Sequence, residues 1–225
     1  MNTTISPQDA LIVIDIQNDF CPGGALAVAE GADIIPGVLE LAKQFDHVIL
    51  TQDWHPAGHA SFATSHDAAP FSMTQLSYGS QTLWPDHCVQ GSEGAKFHED
   101  LAPLVDQAAA IVRKGMNPQV DSYSAFFEND KVTSTGLAGY LRDRGIQRVF
   151  FVGLAYDFCV GYSAIDARKE EFEAVVVKDL TRAIGMPTPK GTTVDAIEAE
   201  FKDRDIVVMK ADEIVARQRR GISPA

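Results

Sequence analysis

Two patterns of apolar and polar positions alternate along the chain. Short, nearly continuous apolar runs rich in Val, Ile and Phe read as strands buried on both faces of a parallel sheet. They fall at Ala10 to Ile16, His47 to Gln52, Ala109 to Arg113, Val149 to Val152, Ala174 to Leu180 and Asp205 to Met209. Between them apolar residues return at helical spacing. These stretches are Asp33 to Phe45, with Pro36 suited to a first turn, Asp100 to Gln107, Ser134 to Arg144 closed by Gly145, Phe158 to Glu170, Thr192 to Asp203 and Asp212 to Arg219. Strand therefore alternates with helix, and each right-handed crossover must return over the sheet. The pattern predicts an α/β fold, a single domain over 1–225 in which a six-stranded parallel sheet carries helices on both faces. From Trp54 to about Glu99 no period is sustained, and an irregular segment that long inside a domain usually serves function. Residues 54–100 are thus expected to form an active-site and metal-binding loop.

In open parallel sheets ligands bind beyond the carboxyl ends of the strands. Asp15, Asp53 and Lys114 end the first three runs, Cys159 follows the fourth, and Asp179 lies near the end of the fifth. The amino ends carry ordinary surface residues such as Arg148 and Glu173. Cys159 is placed in the first turn of a helix, where unpaired N–H groups and the helix dipole favour a thiolate, and Lys114 would favour it further. Asp15 interrupts an apolar run, so it is a buried carboxylate suited to moving protons. In the long loop, Asp53-Trp54-His55-Pro56-Ala57-Gly58-His59 and Trp84-Pro85-Asp86-His87-Cys88 combine carboxylate with imidazole. That donor set suits Zn, Fe or Mn. His66 and His98 read as ordinary exposed histidines, and Cys88 as a packing residue.

Charge and cysteine content narrow the class of partner. The 225 residues carry 19 basic and 31 acidic side chains, a net charge of −12, which disfavours nucleic acid and anionic membranes and leaves a small molecule as the expected substrate. Three cysteines suggest reduced thiols in a cytoplasmic setting rather than a disulfide framework. No apolar stretch approaches a membrane span, and Met-Asn-Thr-Thr-Ile-Ser-Pro lacks the features of a signal peptide. Neither Gly-x-Gly-x-x-Gly nor Gly-x-x-x-x-Gly-Lys follows a strand, which argues against nucleotide binding. Whether the chain forms a homo-oligomer is left open by these features.

Five segments carry a resemblance that spans nearly the whole chain: Asp-Ile-Gln-Asn-Asp-Phe-Cys-Pro-Gly-Gly (15–24), Thr-Gln-Asp-Trp-His-Pro (51–56), Leu-Trp-Pro-Asp-His-Cys-Val (83–89), Arg-Lys-Gly (113–115) and Val-Gly-Leu-Ala-Tyr-Asp-Phe-Cys-Val (152–160). The chain resembles the nicotinamidases, also called pyrazinamidases, of the isochorismatase-like cysteine hydrolase superfamily. The resemblance implies the three-layer isochorismatase-like fold and a catalytic triad of Asp15, Lys114 and Cys159. It also implies one divalent metal ion, zinc ahead of iron or manganese, on Asp53, His55 and His87, with His59 as a candidate fourth ligand. A cis peptide before Ala155 would turn the Ala155 and Cys159 N–H groups inward as an oxyanion hole. Phe20, Trp84, Tyr123 and Ala155 would contact the substrate. The threonine common in the family is Tyr156 here, so only the backbone at that position is expected to serve. The implied reaction converts nicotinamide to nicotinate and ammonia, and pyrazinamide to pyrazinoate, through a Cys159 thioester, in NAD salvage. Competing readings are a relative acting on another small amide or ureido compound, a metallohydrolase with a passive Cys159, and a non-catalytic ligand-binding protein.

Overall fold

The six apolar runs become the six strands of one sheet: β1 (Asp9–Ile14), β2 (His47–Asp53), β3 (Ala110–Lys114), β4 (Arg148–Leu154), β5 (Glu173–Arg182) and β6 (Val207–Met209). The computed structural model describes residues 3–215. The strands lie in the order β3-β2-β1-β4-β5-β6, and every neighbouring pair is parallel. The winding direction therefore reverses between β1 and β4, and a crevice opens beyond their carboxyl ends.

Side chains of one strand alternate between two cores. Leu11 and Val13 of β1, Phe150 and Val152 of β4, and Val175 and Val177 of β5 enter one core. Ala10, Ile12 and Ile14, Val149 and Phe151, and Ala174 and Val176 enter the other. This is the period of two expected of a strand covered on both faces. Helices α1 (Ile35–Ala42) and α2 (Ala102–Val105) cover the first face through Ile35, Val38, Leu41 and Leu104. Helices α3 (Leu137–Arg142), α4 (Gly161–Lys169) and α5 (Thr193–Asp203) cover the second through Leu137, Leu141, Ala164, Ile165, Ile197 and Phe201.

Five of the six expected helices form, several of them shorter. A tight turn at Gly31–Ile34 precedes α1, with Pro36 at its start. α3 begins only after Gly136, whose left-handed backbone at φ 90° lies outside the helix, and Gly145, at φ 67°, closes the element after its last turn. The expected helix 212–219 is not what the chain forms over its described part. Ile214–Val215 pair in parallel with Thr3–Thr4, because β-branched residues gain a strand partner there, and 216–219 lie outside the described residues. The long loop also holds order the sequence reading did not anticipate: an antiparallel hairpin of Met73–Leu76 with Gly79–Thr82, and bridges from Gln17 to Phe97, His55 to Val89 and Phe62 to Trp84. Among the described residues, no helix is long and apolar enough to cross a membrane.

Candidate active site

Four of the five strand-end residues meet at the switch point. Asp15 follows β1, Asp53 and Lys114 close the adjacent strands β2 and β3 and sit opposite one another in register, and Cys159 follows β4. Asp179 does not join them. β5 runs on to Arg182, with Thr181 and Arg182 paired to Gly153 and Leu154, so Asp179 lies short of the crevice and accepts the Ala211 N–H at 2.9 Å instead.

Lys114 is the hub. Its ammonium is buried and reaches Asp15 Oδ2 at 2.8 Å, the Ser122 carbonyl at 3.0 Å and Cys159 Sγ at 3.4 Å, and it donates to Asp53 Oδ1. Burial alone would drive the proton off a lysine, but Asp15 and Asp53 outweigh it and hold the ammonium charged well beyond its ordinary range. Asp15 is oriented by Thr51, whose hydroxyl donates to Oδ1 at 2.6 Å. Its Oδ2 faces Lys114 without a well-aligned hydrogen bond, and so keeps a lone pair for another proton. Burial raises the Asp15 carboxyl to about 6, Lys114 pulling against that shift and Asp53 adding to it.

The Cys159 sulfur lies within 4.8 Å of the Asp15 and Asp53 carboxylates. Burial, helped by those two carboxylates and opposed by Lys114, pushes its thiol well above the ordinary value. The helix terminus and Lys114 favour a thiolate, while burial beside two carboxylates favours the thiol, next to a carboxylate whose affinity for protons is itself raised. Two negative groups packed against one ammonium leave the cluster unfavourable to a third negative charge. Cys159 occupies a π-helical turn, Tyr156–Val160, that leads into α4, and the Leu154–Ala155 peptide is cis, as expected. The Tyr156 side chain points away, donating to Glu198 at 3.1 Å.

Next to the cluster, Asp53 Oδ2 lies 3.6 Å from His55 Nε2 and 3.9 Å from His87 Nε2. Each ring is turned inward by a bond at its other nitrogen, His55 Nδ1 to the Gly115 carbonyl at 3.0 Å and His87 Nδ1 to the Pro85 carbonyl at 2.8 Å. His55 Nε2 is buried with no hydrogen-bond partner, an expensive state unless something binds there. Burial and the neighbouring His55 push His87 down to about 4, which keeps its nitrogen lone pair free. For His55 burial opposes charge but Asp53 prevails, so positive charge is favoured between them. Three hard or borderline donors converging on one point fit a divalent cation. The His59 ring stands 4.5 Å from that of His55 and shares a second cluster of possible donors with His55 and Asp121, while its Nδ1 accepts the Ser61 N–H at 3.1 Å and its Nε2 lies 2.8 Å from the Asn117 carbonyl. Gly115 has φ 66°, and a Cβ there would lie 2.3 Å from the His55 ring, so the ring's seat requires glycine.

The four expected substrate contacts, Phe20, Trp84, Tyr123 and Ala155, line one cavity with Cys159, Asp53 and His87, enclosing about 360 Å³ of empty space including its mouth. Phe158 and Trp84 meet edge to face at 5.0 Å, giving the cavity flat apolar walls suited to an aromatic ring. Asp15 and Lys114 lie behind Cys159 rather than in the lining. Sequence reasoning missed Thr51, Gln17, Asp121 and the Ser122 carbonyl. Gln17 clamps Asp53, accepting its N–H at 2.8 Å and donating to its carbonyl at 2.8 Å. A usable signal existed for Thr51 and Gln17, since each is a polar residue in or just after a buried strand. None existed for Asp121, which reaches the cavity from an irregular loop. The His66 and His98 side chains bond to the Ala60 carbonyl and the Asp100 N–H nearby in the chain, and Cys88 packs in the core.

The doubly wound sheet and this site define an α/β protein with a carboxylate–ammonium–thiol cluster at the switch point, beside a three-donor cation pocket. Residues 9–211 match the Isochorismatase domain, and the chain belongs to that family. It is 52% identical to the nicotinamidase of Acinetobacter baylyi over 178 residues, 79% of this chain and 82% of the relative. It is also similar to the PnC1 structure of L. infantum in complex with nicotinate, with 41% identity and a TM-score of 0.80 over 96% of this chain and 100% of that one. The pyrazinamidase of Pyrococcus horikoshii in complex with zinc is 35% identical, with a TM-score of 0.69 over 91% of this chain and 99% of that one.

Proposed function

We propose that this protein hydrolyses nicotinamide to nicotinate and ammonia, and pyrazinamide to pyrazinoate, in NAD salvage, as a single domain whose 54–100 loop completes the site. The observation that carries the reading is the contact set of Lys114 with Asp15, Asp53 and Cys159 directly behind an aromatic-walled cavity, in a chain similar to a protein solved with nicotinate. Asp15 takes the Cys159 proton as Sγ attacks the carboxamide carbon, so sulfur never carries a full resting charge in the buried cluster. The main-chain N–H groups of Ala155 and Cys159 hold the oxyanion. Asp15 returns the proton to the departing nitrogen, which leaves as ammonia and gives a thioester on Cys159. Asp15 next takes a proton from water as that water attacks the thioester. Collapse frees nicotinate, and Asp15 returns the proton to the thiolate. Lys114 stays protonated throughout and keeps Asp15 in place.

Asp53, His55 and His87 would hold one divalent cation, zinc foremost, since a similar pyrazinamidase is solved with zinc. When bound, such a cation supplies positive charge that positions the nitrogen of the substrate ring. A cytoplasmic setting is the reading that three cysteines free of a disulfide and a salvage reaction support.

The test is ammonia release by the purified protein from nicotinamide, run beside benzamide, which keeps ring and amide but lacks the ring nitrogen. Turnover of nicotinamide with poor turnover of benzamide supports the assignment. Failure on both substrates sinks it in favour of another amide or ureido compound, or of a binding protein. The pH profile carries the signature of Asp15. A general base must be deprotonated, and its carboxyl sits at about 6, so kcat/KM is expected to be flat above that value and to fall about tenfold per pH unit below it. A limb near 4 would instead mean an unperturbed carboxylate.

A further inference from the structure

The hairpin in the long loop buries one polar side chain that the proposed reaction does not use. Gln81 is 1% exposed. Its amide nitrogen directs its two hydrogens at the two nearest oxygens, the Thr82 carbonyl at 2.7 Å and the Tyr123 hydroxyl at 2.8 Å, with Asp121 Oδ2 farther off at 3.1 Å. Its amide oxygen accepts from the Tyr78 hydroxyl at 3.0 Å and from Asn129 Nδ2 at 3.3 Å. The neighbours fix which end is nitrogen, because the Thr82 carbonyl can only accept.

The consequence falls on Tyr123. Its hydroxyl oxygen also receives the Trp84 indole N–H at 3.2 Å. A hydroxyl has two lone-pair directions and one hydrogen. Here both lone-pair directions face N–H donors, and the hydrogen has no acceptor among the described residues. Tyr123 lines the cavity beside Trp84 and Cys159. With its oxygen held from two sides, the hydroxyl aims its hydrogen at whatever fills the cavity.

We propose that Gln81 is a positioning residue that fixes the Tyr123 hydroxyl as a hydrogen-bond donor to the substrate. The hairpin thereby selects ligands that present a carbonyl or carboxylate oxygen there, since the ring nitrogen has one lone pair and faces the cation pocket. This rests on the reading of the cavity as a site for an aromatic amide. Without the Gln81 N–H, the phenol loses one of its two fixed donors and its hydrogen is free to turn from the cavity.

A double-mutant cycle tests it: wild type, Gln81→Leu, Tyr123→Phe and the double variant, each measured for nicotinate affinity by calorimetry and for KM and kcat on nicotinamide. Each single change is expected to weaken nicotinate binding and raise KM by about tenfold, the size of one hydrogen bond, while kcat moves by less than about threefold. The double variant should lose no more than Tyr123→Phe alone, because Gln81 acts through that hydroxyl. Gln81→Met keeps the length of the side chain without its N–H donor and adds no buried charge beside Asp121, so it should behave as Gln81→Leu does and stands in if the leucine variant does not fold. Losses that add to about a hundredfold, unchanged affinity, or a fall in kcat alone would overturn the proposal. Wild-type protein that releases ammonia and binds nicotinate while the losses add defeats the proposal only. Wild-type protein that does neither defeats the reading of the cavity as well.

Discussion

Cys159→Ala is expected to lower nicotinamide turnover by about 10⁴-fold or more, the scale seen when a nucleophile is removed from a hydrolase, and to leave bound metal unchanged. The substitution deletes one sulfur that faces the cavity. The Ser163 hydroxyl bond to the Cys159 carbonyl, at 2.5 Å, is to the main chain and survives. Asp53, His55 and His87 lose no hydrogen bond, since their partners are Lys114, Gly115 and Pro85. Removing the thiol also relieves the cluster of a group whose ionisation it opposes, so the fold should tolerate the change. Ammonia release and metal content measured on the same preparation decide the matter. Turnover retained with metal bound would move the chemistry to the metal site and make Cys159 a passive wall.

The second large effect belongs to Lys114, and it is on stability as well as rate. Lys114→Met keeps much of the side-chain length but leaves Asp15 and Asp53 buried without their shared counter-charge. Breaking a buried ion pair by removing one partner costs about 3–5 kcal/mol. At roughly 2–4 °C per kcal/mol for a chain of this size, the midpoint of thermal unfolding should fall by about 6–20 °C. Asp15→Asn is the control. It preserves shape and leaves Lys114 paired with Asp53, and it removes a charge that burial already disfavours. Its midpoint should stay within a few degrees of wild type while its turnover collapses for want of a base. A scanning calorimetry trace showing Lys114→Met melting like wild type, at equal metal content, would refute the idea that this ammonium holds the two carboxylates in the interior.

The contrast between these variants follows from how the site is built. One ammonium serves two carboxylates that belong to adjacent chemistry, Asp15 toward the thiol and Asp53 toward the cation pocket. The two halves are therefore electrostatically linked: positive charge at Asp53 lessens the negative potential felt by Cys159 and Asp15. That link is absent from any list of motifs, because it depends on Asp53 and Lys114 sitting opposite one another on β2 and β3.

What the sequence determined by itself was the alternation of strand and helix, and with it the crevice edge where Asp15, Asp53, Lys114 and Cys159 gather. Period-two burial and switch-point geometry are local and topological rules, so a linear pattern suffices to apply them. For the cation pocket, residue types showed only carboxylate and imidazole donors gathered at one strand end and one loop, and the choice of Asp53, His55 and His87 among them came from the family resemblance. The tertiary structure alone decided what depends on distances between segments far apart in the chain. It removed Asp179 from the site, engaged His59 with Ser61 and Asn117, supplied Thr51 to Asp15 and Gln81 to Tyr123, and ordered a hairpin where the loop shows no period. It also added to the balance at Cys159 the burial and the two carboxylates that weigh against a charged sulfur. A helix terminus and a lysine favour a thiolate on paper, but burial beside two carboxylates is the stronger effect, and only the folded packing brings those charges within reach of the sulfur.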